Sequence, residues 1–174
     1  FGEKAKDFNL LSTEKEKISL DMVKGDNGTL VTFICNHCPY VKAVIKDIVE
    51  DVKFLEDLGI KSVAIMSNDV KNYPEDSFEN MISFSKLHNF SFPYLIDDTQ
   101  KVAKDYDAVC TPDFFGYNKN LELQYRGRIR ELKDLEPVTQ GDSDLRTAMK
   151  LVAKSGKGPK NQIPSMGCNI KWFK

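Results

Sequence analysis

Two of the four cysteines, Cys35 and Cys38, are separated by two residues in a C-x-x-C motif. Sulfur atoms at this spacing come close enough to bond, so the pair can cycle between a dithiol and a disulfide. The motif stands directly between an apolar strand, Leu30 to Ile34, and a long helical pattern. The start of a helix presents free amide donors and partial positive charge, and both favour a thiolate over a thiol. This placement therefore favours redox chemistry.

In this interpretation each residue of the motif has a role. We expect Cys35 to be the water-exposed, ionised thiolate that attacks, and Cys38 to resolve the mixed disulfide from deeper in the first helical turn. His37 is placed to stabilise the Cys35 thiolate by charge or by a hydrogen bond. Pro39 disfavours helical geometry at the residue before it. The helix therefore begins either near Pro39 or in an irregular turn that contains both cysteines.

Two other interpretations of the cysteine pair remain open. A C-x-x-C can be half of a zinc site, with Cys110, Cys168 or His37 as further ligands, although the sequence has no second C-x-x-C. Cysteine is also common in protein cores, so the two thiols could be buried and inert. We predict no metal and no cofactor, because in the redox interpretation the electrons travel in the cysteines themselves.

The elements that must position the motif alternate between strand and helix. Apolar residues recur at three- and four-residue steps from Val41 to Leu58, which is the pattern of one buried helix face, and Gly59 suits the end of that helix. A strand at 60–66 follows, and such a strand-helix-strand unit implies parallel pairing. The other expected elements are strands at 8–10 and 18–20, helices at 76–88 and 99–107, a strand at 94–97, an antiparallel hairpin of 114–117 and 121–126, and a last helix from 142 or 143 to 154.

This order of elements, with Thr111-Pro112 opening the second hairpin, resembles the thioredoxin superfamily. More narrowly, it resembles the redoxin branch, which groups thiol-specific antioxidant (alkyl hydroperoxide reductase) proteins with ResA-like thioredoxins. The stretches FICNHCPY at 33–40, CTPDFF at 110–115 and GCNIKW at 167–172 are similar to bacterial thioredoxin family proteins.

The resemblance covers nearly the whole chain. It implies a single thioredoxin-like α/β domain over residues 1–174, with a central mixed sheet flanked by helices, an N-terminal hairpin, and an inserted helix and strand between about residues 68 and 97. It also implies that Pro112 is a cis-proline facing the C-x-x-C, and that the backbone at Thr111 and Pro112 pairs with the extended chain of a substrate.

This arrangement also predicts where the two remaining cysteines lie. Cys110 precedes the facing proline by two residues, so we expect it near the active pair, either as a small buried residue or as a third thiol that relays a disulfide. Cys168 lies in a C-terminal tail, residues 155–174, whose apolar side chains lead us to expect that part of it packs back on the domain. There Cys168 would pair with Cys110 or approach Cys35.

The predicted activity is thiol-disulfide exchange with protein or small-molecule thiols and disulfides, and the alternative is a thiol peroxidase of the peroxiredoxin type. Thr32 matches the threonine of the peroxiredoxin motif P-x-x-x-T-x-x-C that would end at Cys35, but Gly28 stands in place of the proline. No arginine adjoins Phe114, where that family keeps one for peroxide. Thioredoxin has a buried aspartate six residues before its first active cysteine, and Thr29 stands at that position here.

Composition excludes several other classes of protein. The 174 residues include 25 basic and 26 acidic side chains, so no net field draws the protein to nucleic acid or anionic lipid. The apolar runs fall well short of the ~20 residues that cross a bilayer. No signal peptide is visible, so we expect a cytoplasmic location, with a periplasmic one as the alternative because the chain begins at Phe1.

Overall fold

The computed structural model describes residues 1–174, and seven of its strands form one mixed sheet flanked by helices. This confirms the predicted α/β class. The strands are β1 (Asn9–Ser12), β2 (Lys17–Ser19), β3 (Gly28–Phe33), β4 (Ile60–Met66), β5 (Tyr94–Ile96), β6 (Cys110–Thr111), β7 (Asp113–Tyr117), β8 (Leu123–Gly127), β9 (Leu132–Lys133), β10 (Glu136–Pro137) and β11 (Cys168–Asn169). The helices are α1 (Pro39–Glu56), α2 (Phe78–Leu87), α3 (Lys101–Asp105) and α4 (Asp144–Ser155), with 3-10 turns at Asp21–Val23 and Pro74–Asp76.

The order of strands in the large sheet is β2-β1-β5-β4-β3-β7-β8. Strand β3 runs parallel to β4, as the sequence predicted, and antiparallel to β7, and all six of its residues are buried. Side chains of successive residues point to opposite faces, so Leu30 belongs to the core beneath α1, α2 and α4, whereas Val31 belongs to the core beneath α3. The motif that follows β3 thus begins at the centre of the sheet.

Helix α1 begins at Pro39, which decides between the two sequence-based alternatives. Cys38 is the N-cap residue, with the extended backbone angles φ −67° and ψ 124°. Proline is favoured at the first helical position because it has no N–H to leave unpaired, and it keeps the preceding residue out of the helical conformation. Cys38 therefore stands at the N-terminal end of α1, and Cys35 lies three residues before it in the sequence. None of the helices combines the length and the apolar composition that a bilayer crossing needs.

Helix α2 begins one residue later than its sequence suggests. The pattern Asp76-Ser77-Phe78-Glu79 predicts an N-cap at Asp76, but the capping side chain is Ser77, whose hydroxyl accepts a hydrogen bond from the Asn80 N–H. The Asp76 carboxylate is instead turned into the protein, where it is fully buried. This acidic group consequently reaches the residues of the C-x-x-C motif.

The C-terminal tail, residues 155–174, runs back across the domain. Its strand β11 pairs antiparallel with β6, so that Cys168 lies opposite Thr111. Of the apolar tail residues, only Ile170 is buried, whereas Ile163 and Met166 are more than half exposed. The tail is therefore held mainly by backbone and polar contacts.

Candidate active site

Three cysteines and Thr111 meet where β3, β6 and the tail converge. The Cys35 Sγ lies 3.6 Å from the Thr111 Oγ1, and the Cys38 Sγ lies 3.3 Å from the Thr111 carbonyl oxygen. The sulfur atoms of Cys38 and Cys168 are 2.8 Å apart. The Thr111–Pro112 peptide bond is cis. The residues singled out in the two motifs and in the tail thus belong to one site.

Cys35 does not have the exposure to water that the sequence predicted. Its relative exposure is 1%. A hydrogen bond to Cys38 and burial both raise the pKa of Cys35, and the nearby Asp76 carboxylate raises it further, because a second negative charge would be repelled. The thiol form is therefore the stable form of Cys35.

Cys38 has the opposite electrostatic environment, although it is also buried. The hydrogen bond from Cys35 lowers the pKa of Cys38 most, and burial opposes it. Hydrogen bonds that involve Cys168, Thr111 and the Val41 backbone lower the pKa of Cys38 further. The Val41 amide belongs to the first turn of α1, where free N–H groups stabilise an anion. These hydrogen bonds favour the thiolate of the pair at Cys38, whereas the Thr111 carbonyl oxygen, 3.3 Å away, accepts a hydrogen bond only from the thiol form.

A titration of the reduced protein followed by thiolate ultraviolet absorbance tests this assignment. Because the pKa of Cys38 is lowered, its thiolate should be present at neutral pH and disappear as the pH falls, with a midpoint below the ~8.5 of a free cysteine. Cys38→Ser should remove this absorbance, and Cys35→Ser should raise its midpoint. Cys110→Ser is the control, since burial raises the pKa of Cys110 to about 12. A neutral-pH thiolate that survives in Cys38→Ser would contradict the assignment.

His37 faces a carboxylate that sequence reasoning did not assign to the site. Its Nδ1 lies 2.6 Å from the Asp76 Oδ2, close enough for an ion pair although the two atoms do not meet the geometry of a hydrogen bond. Asp76 also accepts hydrogen bonds from the Asn36 backbone N–H at 2.8 Å and from the Asn68 Nδ2 at 3.0 Å. Asp76 therefore fixes the loop between the two cysteines. The only sequence signal for it was an acidic residue beside a helix start, which is usually a cap.

Cys35, His37 and Asp76 also form the one cluster of metal-type donor atoms, all within 4.8 Å of one another. A structural zinc site needs four ligands in a tetrahedron. Neither Cys110 nor Cys168, which the sequence offered as further ligands, belongs to the cluster. Both Asp76 oxygens already accept hydrogen bonds. Three partly engaged donors make a poor metal site, and the absence of a metal stays a prediction.

The positions of Cys110 and Cys168 differ from each other. The Cys110 Sγ is directed to the carbonyl oxygens of Pro112, at 3.6 Å, and Ser165, at 3.9 Å. This is the environment of a small buried thiol. Cys168 contacts Cys38, whereas the sequence predicted a partner in Cys110 or Cys35. The antiparallel register of β11 on β6 brings Cys168 to that position.

The three arginines at positions 126, 128 and 130 are each paired with a carboxylate. Arg126 lies 3.1 Å from Asp113 and stacks over the Phe115 ring, across from it on β8. The other two pairs are Arg128 with Asp144 and Arg130 with Asp47. Each of these guanidinium groups therefore has a carboxylate partner in this conformation.

Comparison with known proteins agrees with this architecture. The AhpC/TSA family matches residues 1–132. An uncharacterized conserved protein from Geobacillus kaustophilus has a solved structure that is 40% identical, with a TM-score of 0.93, covering 99% of this chain and 92% of that one. A hypothetical protein from Sinorhizobium meliloti is 36% identical, with a TM-score of 0.91, covering 99% of this chain and 94% of that one.

The fold is shared more widely than the sequence. The thioredoxin domain of a thiol-disulfide oxidoreductase from Bacteroides vulgatus is 14% identical, with a TM-score of 0.61, covering 72% of this chain and 86% of that one. At this identity the likeness is one of fold. No protein of curated function matches the sequence. Since the family match spans most of the chain, this protein belongs to the AhpC/TSA family of thioredoxin-like redoxins.

Proposed function

We propose that the protein is a thiol-disulfide oxidoreductase in which Cys38 attacks and Cys35 resolves. The observation that carries the proposal is the position of Cys38 at the N-cap of α1, where the Val41 N–H and neighbouring thiols favour its thiolate. This reverses the two roles predicted from the sequence. Family membership supports the general redox chemistry, and the local electrostatics supports the order of attack.

The reaction begins when the Cys38 thiolate attacks one sulfur of a substrate disulfide. The substrate S–S bond breaks, one substrate sulfur leaves as a thiolate and takes up a proton, and the other remains bonded to Cys38. The Cys35 sulfur, after losing its proton, then attacks the Cys38 sulfur and releases the second substrate thiol. Two electrons have passed to the substrate, and the protein holds a Cys35–Cys38 disulfide.

The proton of Cys35 needs an acceptor, because Thr29 stands where thioredoxin has its aspartate. Donor atoms of His37 and Asp76 lie within 4.8 Å of the Cys35 sulfur. We assign the acceptor to this imidazole–carboxylate pair. Thr111 contacts both reacting sulfur atoms, and its backbone, with that of Pro112, is assigned to an extended substrate chain.

Reduction of insulin disulfides tests the activity. The protein, with dithiothreitol as the electron source, should precipitate the insulin B chain faster than dithiothreitol alone. Protein whose thiols were alkylated under denaturing conditions and then refolded is the control, and it should give only the rate of the reagent. A rate equal to that of the reagent for unmodified protein, at every concentration of protein, would refute the proposed function.

A further inference from the structure

The tail occupies the backbone position that the proposed function gives to a substrate. In strand β11, Cys168 is paired with Thr111 and Asn169 with Cys110, both antiparallel. The next residue extends the pairing, because the Ile170 N–H donates to the Val109 carbonyl oxygen at 3.1 Å. An extended chain with a cysteine at its centre thus already lies along β6.

The close approach of this chain depends on Gly167. A Cβ atom at that position would lie 2.1 Å from the Thr111 carbonyl oxygen and 3.2 Å from the Pro112 nitrogen. Any side chain would therefore collide with backbone atoms, which cannot turn aside as a flexible side chain can. Glycine before Cys168 lets the tail reach the site closely enough for the two sulfur atoms to meet.

Buried polar groups hold the tail beyond its cysteine. The Lys171 carbonyl oxygen accepts hydrogen bonds from the Asp69 N–H at 2.8 Å and from the fully buried Gln100 Nε2 at 2.9 Å. The Lys171 N–H donates to the Asn68 Oδ1 at 2.9 Å. Between these contacts and Cys168, the Ile170 side chain is 3% exposed in the core beneath α3. Together, these contacts form a binding site for an extended chain.

We propose that residues 167–171 are an internal substrate, and that Cys168 forms a reversible disulfide with Cys38 which closes the β6 edge to other polypeptides. The inference rests on the proposed function for the nucleophilicity of Cys38. It adds a covalent partner, Cys168, and a closed state of the enzyme. Cys38 has no exposed surface in this state, so a polypeptide substrate reaches it only after the tail has left β6.

A small disulfide such as glutathione disulfide supplies the oxidant. The Cys168 side chain is only partly buried, and its thiol proton passes to the Cys38 thiolate 2.8 Å away as the Cys168 sulfur attacks a glutathione sulfur. One glutathione leaves and takes up that proton, which restores the Cys38 thiolate. The Cys38 thiolate then attacks the Cys168 sulfur, and the second glutathione leaves. The two cysteines have lost two electrons and are joined, and glutathione disulfide has become two glutathione thiols. A dithiol reductant reverses both steps.

Disulfide mapping of the full-length protein tests the covalent partner. The reduced protein is treated with glutathione disulfide, its free thiols are alkylated, and the unreduced digest is analysed by mass spectrometry. We expect a link between the peptide of Cys168 and that of the C-x-x-C. Cys35→Ser should keep the link and Cys38→Ser should lose it. An oxidised wild-type protein in which Cys168 is not joined to Cys38 overturns the proposal.

Alkylation kinetics test the closed state without any oxidant. Gly167→Val places a side chain against the Thr111 and Pro112 backbone, so it should lift the tail. The matched control is Met166→Val, at a neighbouring position that is 66% exposed. In the reduced protein, Gly167→Val should speed alkylation of Cys38 at least ~tenfold, equivalent to ~1.4 kcal/mol, relative to wild type and control. Equal rates for the two variants would overturn the closed state.

Insulin reduction by the same variants separates this inference from the proposed function. If Gly167→Val exposes Cys38 but neither it nor the wild type reduces insulin, the activity is wrong and the closed state stands. If the wild type reduces insulin and Gly167→Val neither exposes Cys38 nor reduces insulin faster, the activity stands and the internal substrate is wrong. Mapping of the Cys168 linkage remains decisive if Gly167→Val does not fold.

Discussion

Replacing Cys38 with serine is expected to slow insulin reduction by at least ~10³-fold, since removal of an attacking nucleophile commonly costs this much or more. Serine cannot supply the anion that the Val41 N–H and the neighbouring thiols stabilise at this position. The assay is the initial rate of insulin precipitation at equal protein concentration. Cys110→Ser is the control and should keep activity close to that of the wild type, because the Cys110 sulfur is directed to the carbonyl oxygens of Pro112 and Ser165.

Cys35→Ser should fail at a different step. Its Cys38 can still attack, but the resolving thiol is missing, so a mixed disulfide between Cys38 and the substrate should accumulate. Gel electrophoresis without reductant, followed by peptide mapping, would detect this complex. If Cys35 attacks and Cys38 resolves, as the sequence predicted, the opposite result is expected. A complex trapped by Cys38→Ser through Cys35, and absent from Cys35→Ser, would restore the earlier assignment of roles.

Asp76→Ala is expected to lower the free energy of unfolding by ~3 kcal/mol, because it leaves several buried polar groups without a partner. The Asn36 backbone N–H and the Asn68 Nδ2 both donate to this carboxylate, and the His37 Nδ1 lies 2.6 Å from it. Urea unfolding followed by circular dichroism measures the loss. The loop between the cysteines should also lose its order, so alkylation of Cys35 should become faster.

Glu75→Ala is the matched control for Asp76→Ala. Glu75 is the adjacent acidic residue, but its side chain is exposed, and the contact with Asn36 Nδ2 uses only its backbone oxygen. Substitutions at such surface positions usually change stability by no more than ~0.5 kcal/mol. If the two variants were equally stable, the buried carboxylate would not be what holds the loop.

The part of the site that local sequence pattern could predict is the part built from neighbouring residues. The apolar run of β3 and the helical periodicity of α1 identify the junction that carries Cys35 and Cys38. Proline after Cys38 already indicated where α1 begins, because proline is favoured at the first helical position. This signal places Cys38, rather than Cys35, at the N-terminus of α1.

The rest of the site depends on contacts that no local pattern encodes. Asp76 is 41 residues from Cys35 along the chain (76 − 35) and resembles an ordinary helix cap. The burial of Cys35 comes from the packing of distant segments and has no signature in its neighbours. For the tail, apolar composition predicted hydrophobic packing, but Ile170 alone is buried, and buried amide groups such as that of Gln100 supply much of the remaining attachment.

Under the proposed function, the lack of space beside Thr111 would make the protein selective among client proteins. A client that displaces the tail and binds β6 in the same register meets the carbonyl oxygen that lies 2.1 Å from where a Cβ of residue 167 would be. Only a glycine immediately ahead of the client's cysteine fits there without a shift of the chain. The enzyme would thus discriminate among cysteines of an unfolded client by the residue that precedes each one.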